Sequence, residues 1–313
     1  MKDYIIRGID KKGTIRLFVA SSTNLVEKAR IIHNTSPTAT AALGRALTAA
    51  AMMGIAMKGE KDSLTFKIKG DGPIGNIITV ANNKGEVKGY VDYPYKDMPS
   101  RADGKLDVGG LVGKNGQLAI IRDLGLKEPY IGMSNLVSGE IAEDLVNYFY
   151  ISEQQPSAIN LGVLIDKDIS VKAAGGYMLQ LLPNVEDEDI DRIEEILKQA
   201  KPISTLIDEG LTPEQVMEEL FGEFEMEVLD RNYIEYKCNC QRKKIESILL
   251  SLGKKEIKYI IEEDGQTEIG CHFCNEKYIF SKDELQKLIW LLTLLKKAWI
   301  LTNVTQAQIA QSV

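Results

Sequence analysis

Histidine, cysteine and tryptophan are scarce in this sequence of 313 residues, which contains two, four and two of them. Two histidines, His33 and His272, give little support to Ser–His or Cys–His catalysis, which needs a base paired with a nucleophile. Segment 110–116 places a lysine in a glycine-rich turn without the GxxxxGK[ST] pattern of a phosphate-binding loop, so no ATP site is expected. We therefore expect a protein that is not an enzyme.

Long apolar runs are also missing. Residues 1–7 contain no apolar stretch of the length that a signal peptide requires. Segment 38–57 is mostly alanine and threonine and carries Arg45, which predicts a buried helix rather than a membrane span. We expect a cytoplasmic protein whose four cysteines are kept reduced rather than joined in structural disulfides.

Positive charge is in deficit, with a formal net charge of −7 that suits a nucleic-acid backbone poorly. The deficit lies in one place. Residues 186–230 contain 16 acidic and 3 basic side chains, whereas the residues before and after this segment each carry a net charge of +3. This acidic segment therefore indicates a boundary in the organisation of the chain.

The first 185 residues alternate short β-type runs with turns. Strands are expected at 4–7, 14–20, 63–69, 76–81, 86–93, 117–123, 157–165 and 169–182. Gly175 and Gly176 interrupt the last run, which indicates a bulge or a close backbone approach.

Two helices are expected among these strands. Ser36 and Pro37 supply an N-cap and a first-turn proline to an alanine-rich helix that ends near residue 57. Another helix presents one apolar face, formed by Ile141, Leu145, Tyr148 and Phe149. The pattern predicts an α+β fold: an N-terminal, mainly antiparallel sheet domain with packed helices.

The acidic segment has a helical pattern. A narrow apolar stripe is formed by Ile190, Ile193, Ile196 and Leu197. A capping box at Thr212–Gln215, with proline in the first turn, begins a second helix that ends at Gly222. Apolar faces favour docking, whereas dense like charge opposes compaction. The segment is thus either a solvated linker or a docked, weakly held element.

All four cysteines lie in the last quarter of the chain, as Cys238-Asn239-Cys240 and Cys271-His272-Phe273-Cys274. Zinc takes four tetrahedral ligands, and two closely spaced thiolates on each of two turns supply them. The spacer contains an amphipathic stretch at 243–252 and a hairpin-like pair, 257–261 with 267–269, that would return the second cysteine pair to the first. His272, between two cysteines, is not expected to be a ligand, and His33 is expected to be a helix-end or structural residue.

Oxidation would undo this long-range connection. One zinc ion per chain would join Cys238 to Cys274 and contribute on the order of 10 kcal/mol to the folding of a small domain. If near neighbours pair, as Cys238–Cys240 and Cys271–Cys274, two local bridges would replace the connection, and short loops constrain the chain little. Four cysteines allow three connectivities, so other pairings remain open.

The arrangement of CxC and CxxC after an acidic helical segment resembles the redox-regulated chaperone family of the 33-kDa heat-shock protein. The N-terminal part agrees independently. Five segments of the chain are similar to elements of that family. In chain order they match its long helix (36–47), a turn between strands (69–75), the next strand (88–91), its central helix and exit (138–158) and the edge strand before its linker (174–183). The resemblance extends from residue 1 to about residue 289.

The resemblance implies a monomer that is dormant while reduced and zinc-bound. Oxidants, helped by heat, would release zinc, form disulfides and unfold the linker; the protein would then dimerise and hold unfolding client proteins without ATP. Cys238, Cys240, Cys271 and Cys274 match the family's zinc ligands and redox switch one for one. We predict Cys238–Cys240 and Cys271–Cys274 as the redox-active disulfides, with neither nucleic acid nor membrane as a partner.

Four parts are predicted along the chain: an α+β core at 1–183, a helical acidic linker at 184–230, a zinc-binding redox-switch domain at 231–289 and an apolar helical tail at 290–313. A capping box at Ser281–Glu284 begins the last helix, as in the family. The tail departs from the family. Its run of about eight apolar or threonine residues is too short to span a bilayer. A helix packed on its own protein is favoured over one that binds a partner.

Two other classes of function remain as alternatives. A zinc-ribbon nucleic-acid adaptor would use the basic cluster at 241–244, although the acidic segment opposes it. A thiol–disulfide enzyme would use Cys271 and Cys274, although a four-thiolate metal site predicts no turnover.

Overall fold

The computed structural model describes residues 2–294. The chain divides into two compact units, Met1–Cys238 and Asn239–Val313. No helix within the described residues is long and apolar enough to cross a membrane.

Two sheets form the frame of the first unit. The strand order of the first sheet is β10 (Glu227–Tyr233), β1 (Tyr4–Ile9), β2 (Ile15–Ser21), β9 (Val171–Leu181) and β8 (Ser157–Ile165). That of the second is β11 (Glu235–Tyr236), β5 (Glu86–Val91), β4 (Asn76–Asn82), β3 (Ser63–Lys69), β6 (Gln117–Asp123) and β7 (Tyr130–Asn135). Among the described strands every pairing is antiparallel except that of β11 with β5, so the predicted α+β fold is confirmed.

The helix α2 (Pro37–Ile55) packs against strands of both sheets. The Ser36 hydroxyl accepts a hydrogen bond from the Ala39 amide at 3.2 Å, so the predicted N-cap is present. All residues of α2 except Pro37 and Arg45 are buried. Its small side chains let the sheets approach closely, and this layer is the main core of the unit.

Three further helices complete this part of the unit: α1 (Thr23–His33), α3 (Val108–Val112) and α4 (Ala142–Tyr148), which continues as a π-helical turn over Phe149–Glu153. The apolar face predicted around Ile141 and Leu145 is buried. The sequence interpretation missed α1 and the strand β7. His33 ends α1, as expected, with its Nε2 atom 3.1 Å from the Tyr236 hydroxyl.

The acidic segment covers the opposite face of the first sheet. It folds into α5 (Asp187–Gln199), α6 (Ile203–Asp208), α7 (Pro213–Phe221) and a 3-10 turn at Gly222–Phe224, and its last residues enter β10 of the first sheet. Strand β11 of the second sheet follows directly after it. The capping box at Thr212 and Gln215 is present as predicted. Of the two interpretations, the structure has the docked one.

Alternate side chains of β1, β2 and β9 explain this docking. One set faces α2 and the other contacts the acidic segment, namely Tyr4, Ile6, Ile15, Leu17, Val19, Tyr177 and Leu179. The acidic segment contributes the buried side chains Ile193, Ile203, Leu206, Val216, Met217, Leu220, Phe221 and Phe224. A Cβ atom at Gly175 would lie 2.3 Å from Ala20 O of β2, so the expected close backbone approach is present. The register shift that indicates a bulge lies instead between Leu164 and Ile165 of β8.

The second unit consists of α8 (Arg242–Glu263), the hairpin β12 (Gln266–Gly270) and β13 (Lys277–Ser281), and a helix over 282–294. Gly253, at φ +85°, kinks α8 after its first half. Both halves of α8, the hairpin and the last helix share a core of Ile245, Leu249, Ile257, Phe280, Leu285 and Leu288. The capping box of Ser281 and Glu284 begins the last helix as predicted.

One element of this unit was assigned wrongly from the sequence. Residues 257–261 were expected to pair as a strand with 267–269, but they form the second half of α8. Ile257, Ile260 and Ile261 contact the core at helical spacing. The hairpin is instead β12 with β13, and its turn carries the CxxC motif. The predicted tail at 290–313 lies outside the described residues beyond residue 294.

Candidate metal centre

The CxxC pair occupies the tight turn between β12 and β13. The Cys271 carbonyl accepts hydrogen bonds from the amides of Cys274 at 3.3 Å and Asn275 at 2.8 Å, and the Cys271 amide donates to Glu276 O at 2.9 Å. Asn275 has φ +57°, a conformation that asparagine tolerates better than most residues. The hairpin register therefore fixes both cysteines on one turn.

The CxC pair lies between β11 and α8. Cys238 follows Tyr236 by two residues, and Cys240 precedes the first residue of α8, Arg242, by two. The Lys244 ammonium donates to Asn239 O at 3.3 Å, which joins the start of the helix to the residue between the two cysteines.

The structure brings all four predicted cysteines together. Their sulfur atoms lie within 4.8 Å of one another, and Cys240 Sγ is 3.3 Å from Cys274 Sγ. All four are half-buried thiols that form no disulfide. Within residues 2–294 this is the group positioned to hold a metal ion, and neither His33 nor His272 belongs to it.

Two side chains connect the parts of the centre: Tyr278, which the sequence interpretation did not single out, and Arg242, which it named only within the basic cluster at 241–244. The Tyr278 hydroxyl donates to Cys240 Sγ at 3.2 Å, and this bond is the main cause that raises the pKa of the phenol above its ordinary value. The Arg242 guanidinium lies 4.3 Å from the centre of the Phe280 ring and donates to Ile279 O and Glu284 at 2.8 and 2.7 Å. Tyr278 carried no signal of its own in the sequence, because only the fold shows that its hydroxyl faces a cysteine.

Arg242 also bears on the nucleic-acid alternative. It is the first basic residue of the cluster at 241–244, and it is engaged with Glu284 and the Phe280 ring rather than presented to a ligand. Since phosphate contacts supply most non-specific affinity for nucleic acid, this engagement weakens the basic patch as a binding surface.

Ion pairs surround the docked acidic segment of the first unit. The Lys12 ammonium lies 2.7 Å from Glu186 and 2.9 Å from Asp189, and Lys172 lies 2.7 Å from Asp208. The Tyr4 hydroxyl donates to Glu214 at 2.7 Å, and burial followed by this bond raises the pKa of Tyr4 to about 12. Basic groups of the β1–β2 turn and of β9, together with the phenol of Tyr4 on β1, thus meet the acidic rim of the segment.

The fold and the site define a class: a two-unit α+β protein with a group of four cysteines in the C-terminal part of the chain. The family model described as Hsp33 protein matches residues 3–281. The chain belongs to the Hsp33 family, as the sequence resemblance predicted.

Relatives and a solved structure agree with this assignment. The chain is 48% identical over 289 residues to the 33 kDa chaperonin of Thermoanaerobacter sp. (strain X514), covering 92% of this chain and 98% of that protein. The 33 kDa chaperonin of Desulforamulus reducens is 49% identical with the same coverage. The crystal structure of the Thermotoga maritima 33 kDa chaperonin, a heat shock protein 33 homolog, matches with a TM-score of 0.85 and 39% identity over 93% of this chain and 99% of that chain.

Proposed function

We propose that this protein is a redox-regulated, ATP-independent holdase. It is dormant while its four thiolates hold one zinc ion, and oxidation activates it to bind unfolding proteins. The observation that carries the proposal is the meeting of two features in one chain: four thiols within 4.8 Å of one another, and an acidic segment that covers an apolar sheet face. Membership of a family whose members are named chaperonins supports it.

The dormant state hides a binding surface. Seven apolar or aromatic side chains of β1, β2 and β9 are buried beneath α5–α7. Burial of one large apolar side chain stabilises the folded protein by about 1.5–3 kcal/mol relative to its exposure to water. If the acidic segment leaves, these side chains form a contiguous exposed apolar patch, which is the kind of surface that binds other proteins. Unfolding clients expose complementary apolar segments.

The cysteine centre fits zinc by its donor set. Four thiolates suit a closed tetrahedral zinc site, in which Zn–S bonds of about 2.3 Å keep the sulfurs within about 4 Å of each other. Bound zinc would tie Cys238 and Cys240 to the hairpin that carries Cys271 and Cys274. We propose these four residues as its ligands and the protein as a cytoplasmic one, since that compartment keeps thiols reduced.

The chemistry of activation is oxidation by a peroxide. A thiolate sulfur attacks one peroxide oxygen, the O–O bond breaks, and a sulfenic acid and hydroxide form. The neighbouring thiolate attacks the sulfenic sulfur and displaces a second hydroxide, which leaves a disulfide; protons from solvent convert both hydroxides to water. We propose the pairs Cys238–Cys240 and Cys271–Cys274. Because disulfide sulfurs are poor zinc ligands, the long-range connection is lost with the metal.

The chain itself connects the centre to the acidic segment. Tyr236 lies two residues before Cys238, and its hydroxyl donates to Gly89 O at 2.8 Å within β5. Movement of Cys238 therefore pulls on β11 and, three residues earlier, on the end of β10. We propose that loss of zinc loosens these strands, unfolds the acidic segment and permits a homodimer, with no nucleic-acid or membrane partner.

Light scattering of a thermally unfolding client protein tests the proposal. The protein is compared fully reduced with zinc and after warm peroxide treatment. We expect suppression of aggregation only after oxidation, with slow reversal by a thiol reductant. Equal suppression in both states would contradict redox control, and no suppression in either state would contradict the holdase function.

A further inference from the structure

Tyr278 joins the two halves of the cysteine centre by a bond that does not pass through a metal. Tyr278 lies on β13 opposite Ile269 of β12, in the hairpin whose turn carries Cys271 and Cys274. Its hydroxyl donates across to Cys240 Sγ at 3.2 Å, and Cys240 belongs to the other cysteine pair. The bond therefore connects the hairpin to the CxC segment.

We propose that Tyr278 is a positioning residue that holds the Cys240 thiolate in the metal-binding arrangement and lowers its reactivity toward peroxide. This proposal rests on the proposed zinc centre and deepens it.

The physical reason lies in the charge on the sulfur. A hydroxyl that donates to a thiolate forms a charge-assisted hydrogen bond, which is stronger than a neutral one. The bond draws electron density from the sulfur lone pairs, so the thiolate becomes a weaker nucleophile toward the peroxide oxygen. Outer partners of this kind also orient metal ligands, and their removal typically costs 10–100-fold in metal affinity.

The ring of Tyr278 has a separate, structural role that must be kept apart from that of its hydroxyl. The residue is half-buried and its side chain packs against the core formed by Ile257, Phe280 and Leu285. Tyr278→Phe keeps the ring and removes only the hydroxyl, so the hairpin packing is preserved. Tyr259, on α8 of the same unit with 60% of its surface exposed, offers the matched control Tyr259→Phe.

The experiment measures the metal directly. Zinc affinity is determined by competition with a chromogenic chelator for the reduced full-length chain, Tyr278→Phe and Tyr259→Phe, and zinc release is followed after peroxide addition. We expect Tyr278→Phe to bind zinc 10–100-fold more weakly and to release it several-fold faster, and Tyr259→Phe to match the parent chain. Cobalt(II) loading adds a spectroscopic signature: loss of the hydrogen bond shifts the thiolate-to-cobalt charge-transfer band to lower energy.

The outcomes separate this proposal from the holdase function. Tyr278→Phe with parental zinc affinity, release rate and cobalt spectrum would overturn the role of Tyr278, whatever the clients do. If Tyr278→Phe behaves as expected while no state of the protein suppresses aggregation, the holdase function falls and the role of Tyr278 stands. A parent chain that binds no zinc would overturn both the centre and this role. If Tyr278→Phe lost helical content by circular dichroism, Tyr278→Leu would retest the position with an apolar side chain that has no hydrogen-bond donor, and parental zinc release in that variant would contradict the proposal.

Discussion

The two faces of the first sheet are built from the same strands and covered in opposite ways. On one face Phe18 and Ala20 of β2 pack against α2, a helix with a single charged side chain, Arg45. On the other face Leu17 and Val19 pack against the acidic segment, whose first helix, α5, begins with Asp187, Glu188 and Asp189. Both interfaces bury apolar surface, but only the second concentrates like charge that favours its release. Under the proposed function, the face against α2 serves stability and the face beneath α5–α7 serves exposure.

The largest loss of stability and of amide protection should come from removing zinc under reducing conditions. A structural zinc contributes on the order of 10 kcal/mol to a small domain, so a strong chelator should unfold the second unit. Hydrogen exchange should then rise throughout α8, β12 and β13, and in α5–α7, while α2 stays protected. Protection of α8 unchanged after zinc loss, as measured by mass spectrometry, would show that the metal does not hold the unit together.

Two fully buried phenylalanines sharpen the comparison of the faces. Phe18 lies in the core with α2, and Phe221 ends α7 on the other face. Truncation of a buried phenylalanine to alanine costs about 3–5 kcal/mol. We expect Phe18→Ala to lower the melting temperature of the whole first unit, and Phe221→Ala to release the acidic segment and give client protection without oxidation.

Thermal unfolding and light scattering of the reduced, zinc-bound variants check this pair, each variant serving as the control for the other. If Phe221→Ala lowered the melting temperature as much as Phe18→Ala and gave no client protection, the two faces would not differ in the way described.

A smaller effect is expected at the ion pairs around Lys12. Lys12→Gln removes the partner of Glu186 and of the buried Asp189 carboxylate, so amide exchange in α5 should rise modestly. Because salt screens exposed charges, the difference from the parent chain should shrink in concentrated salt. Lys127→Gln, at an exposed lysine of the same unit, should leave exchange in α5 unchanged. Equal effects of both variants would indicate a general charge effect.

The smallest expected change is in the stability of the protein at alkaline pH, where Tyr4 loses its phenolic proton. The pKa of Tyr4 is raised to about 12 by burial and by its hydrogen bond to Glu214. A raised pKa in the folded state means that the stabilisation is fully present below the ordinary value of about 10 and is lost as pH rises toward 12. The stability difference between the parent chain and Tyr4→Phe should therefore shrink between pH 10 and 12. A difference that stays constant over this range would assign no role to the phenolic proton.

The sequence predicted those elements whose signals are local. Strand β3 was found at its expected bounds because its side chains alternate between buried and half-exposed, and the caps at Ser36, Thr212 and Ser281 were read from their own residues. The four cysteines were recognised by spacing alone, and the fold brings them together. Local chemistry was sufficient in each case.

Elements that depend on distant partners were missed. Strand β10 has mostly exposed side chains and no apolar alternation, and it exists because its backbone pairs with β1, more than 200 residues earlier. Ile257–Ile261 was assigned to a strand because a short apolar run suits strand and helix alike. Docking of the acidic segment could not be predicted from the sequence, because its apolar face favours packing on the sheet whereas its dense negative charge opposes it. Tyr278 gave no sign, since its role depends on a hydrogen bond made across the fold.

The central claim is that oxidation of the cysteine centre uncovers one face of the first sheet and leaves the other covered. Hydrogen exchange of the full chain, measured by mass spectrometry before and after peroxide treatment with zinc release followed in parallel, tests it most directly. We expect peptides of α5–α7 and β10 to lose protection as zinc is released, while peptides of α2 remain protected. Unchanged protection of α5–α7 after complete zinc release would contradict it.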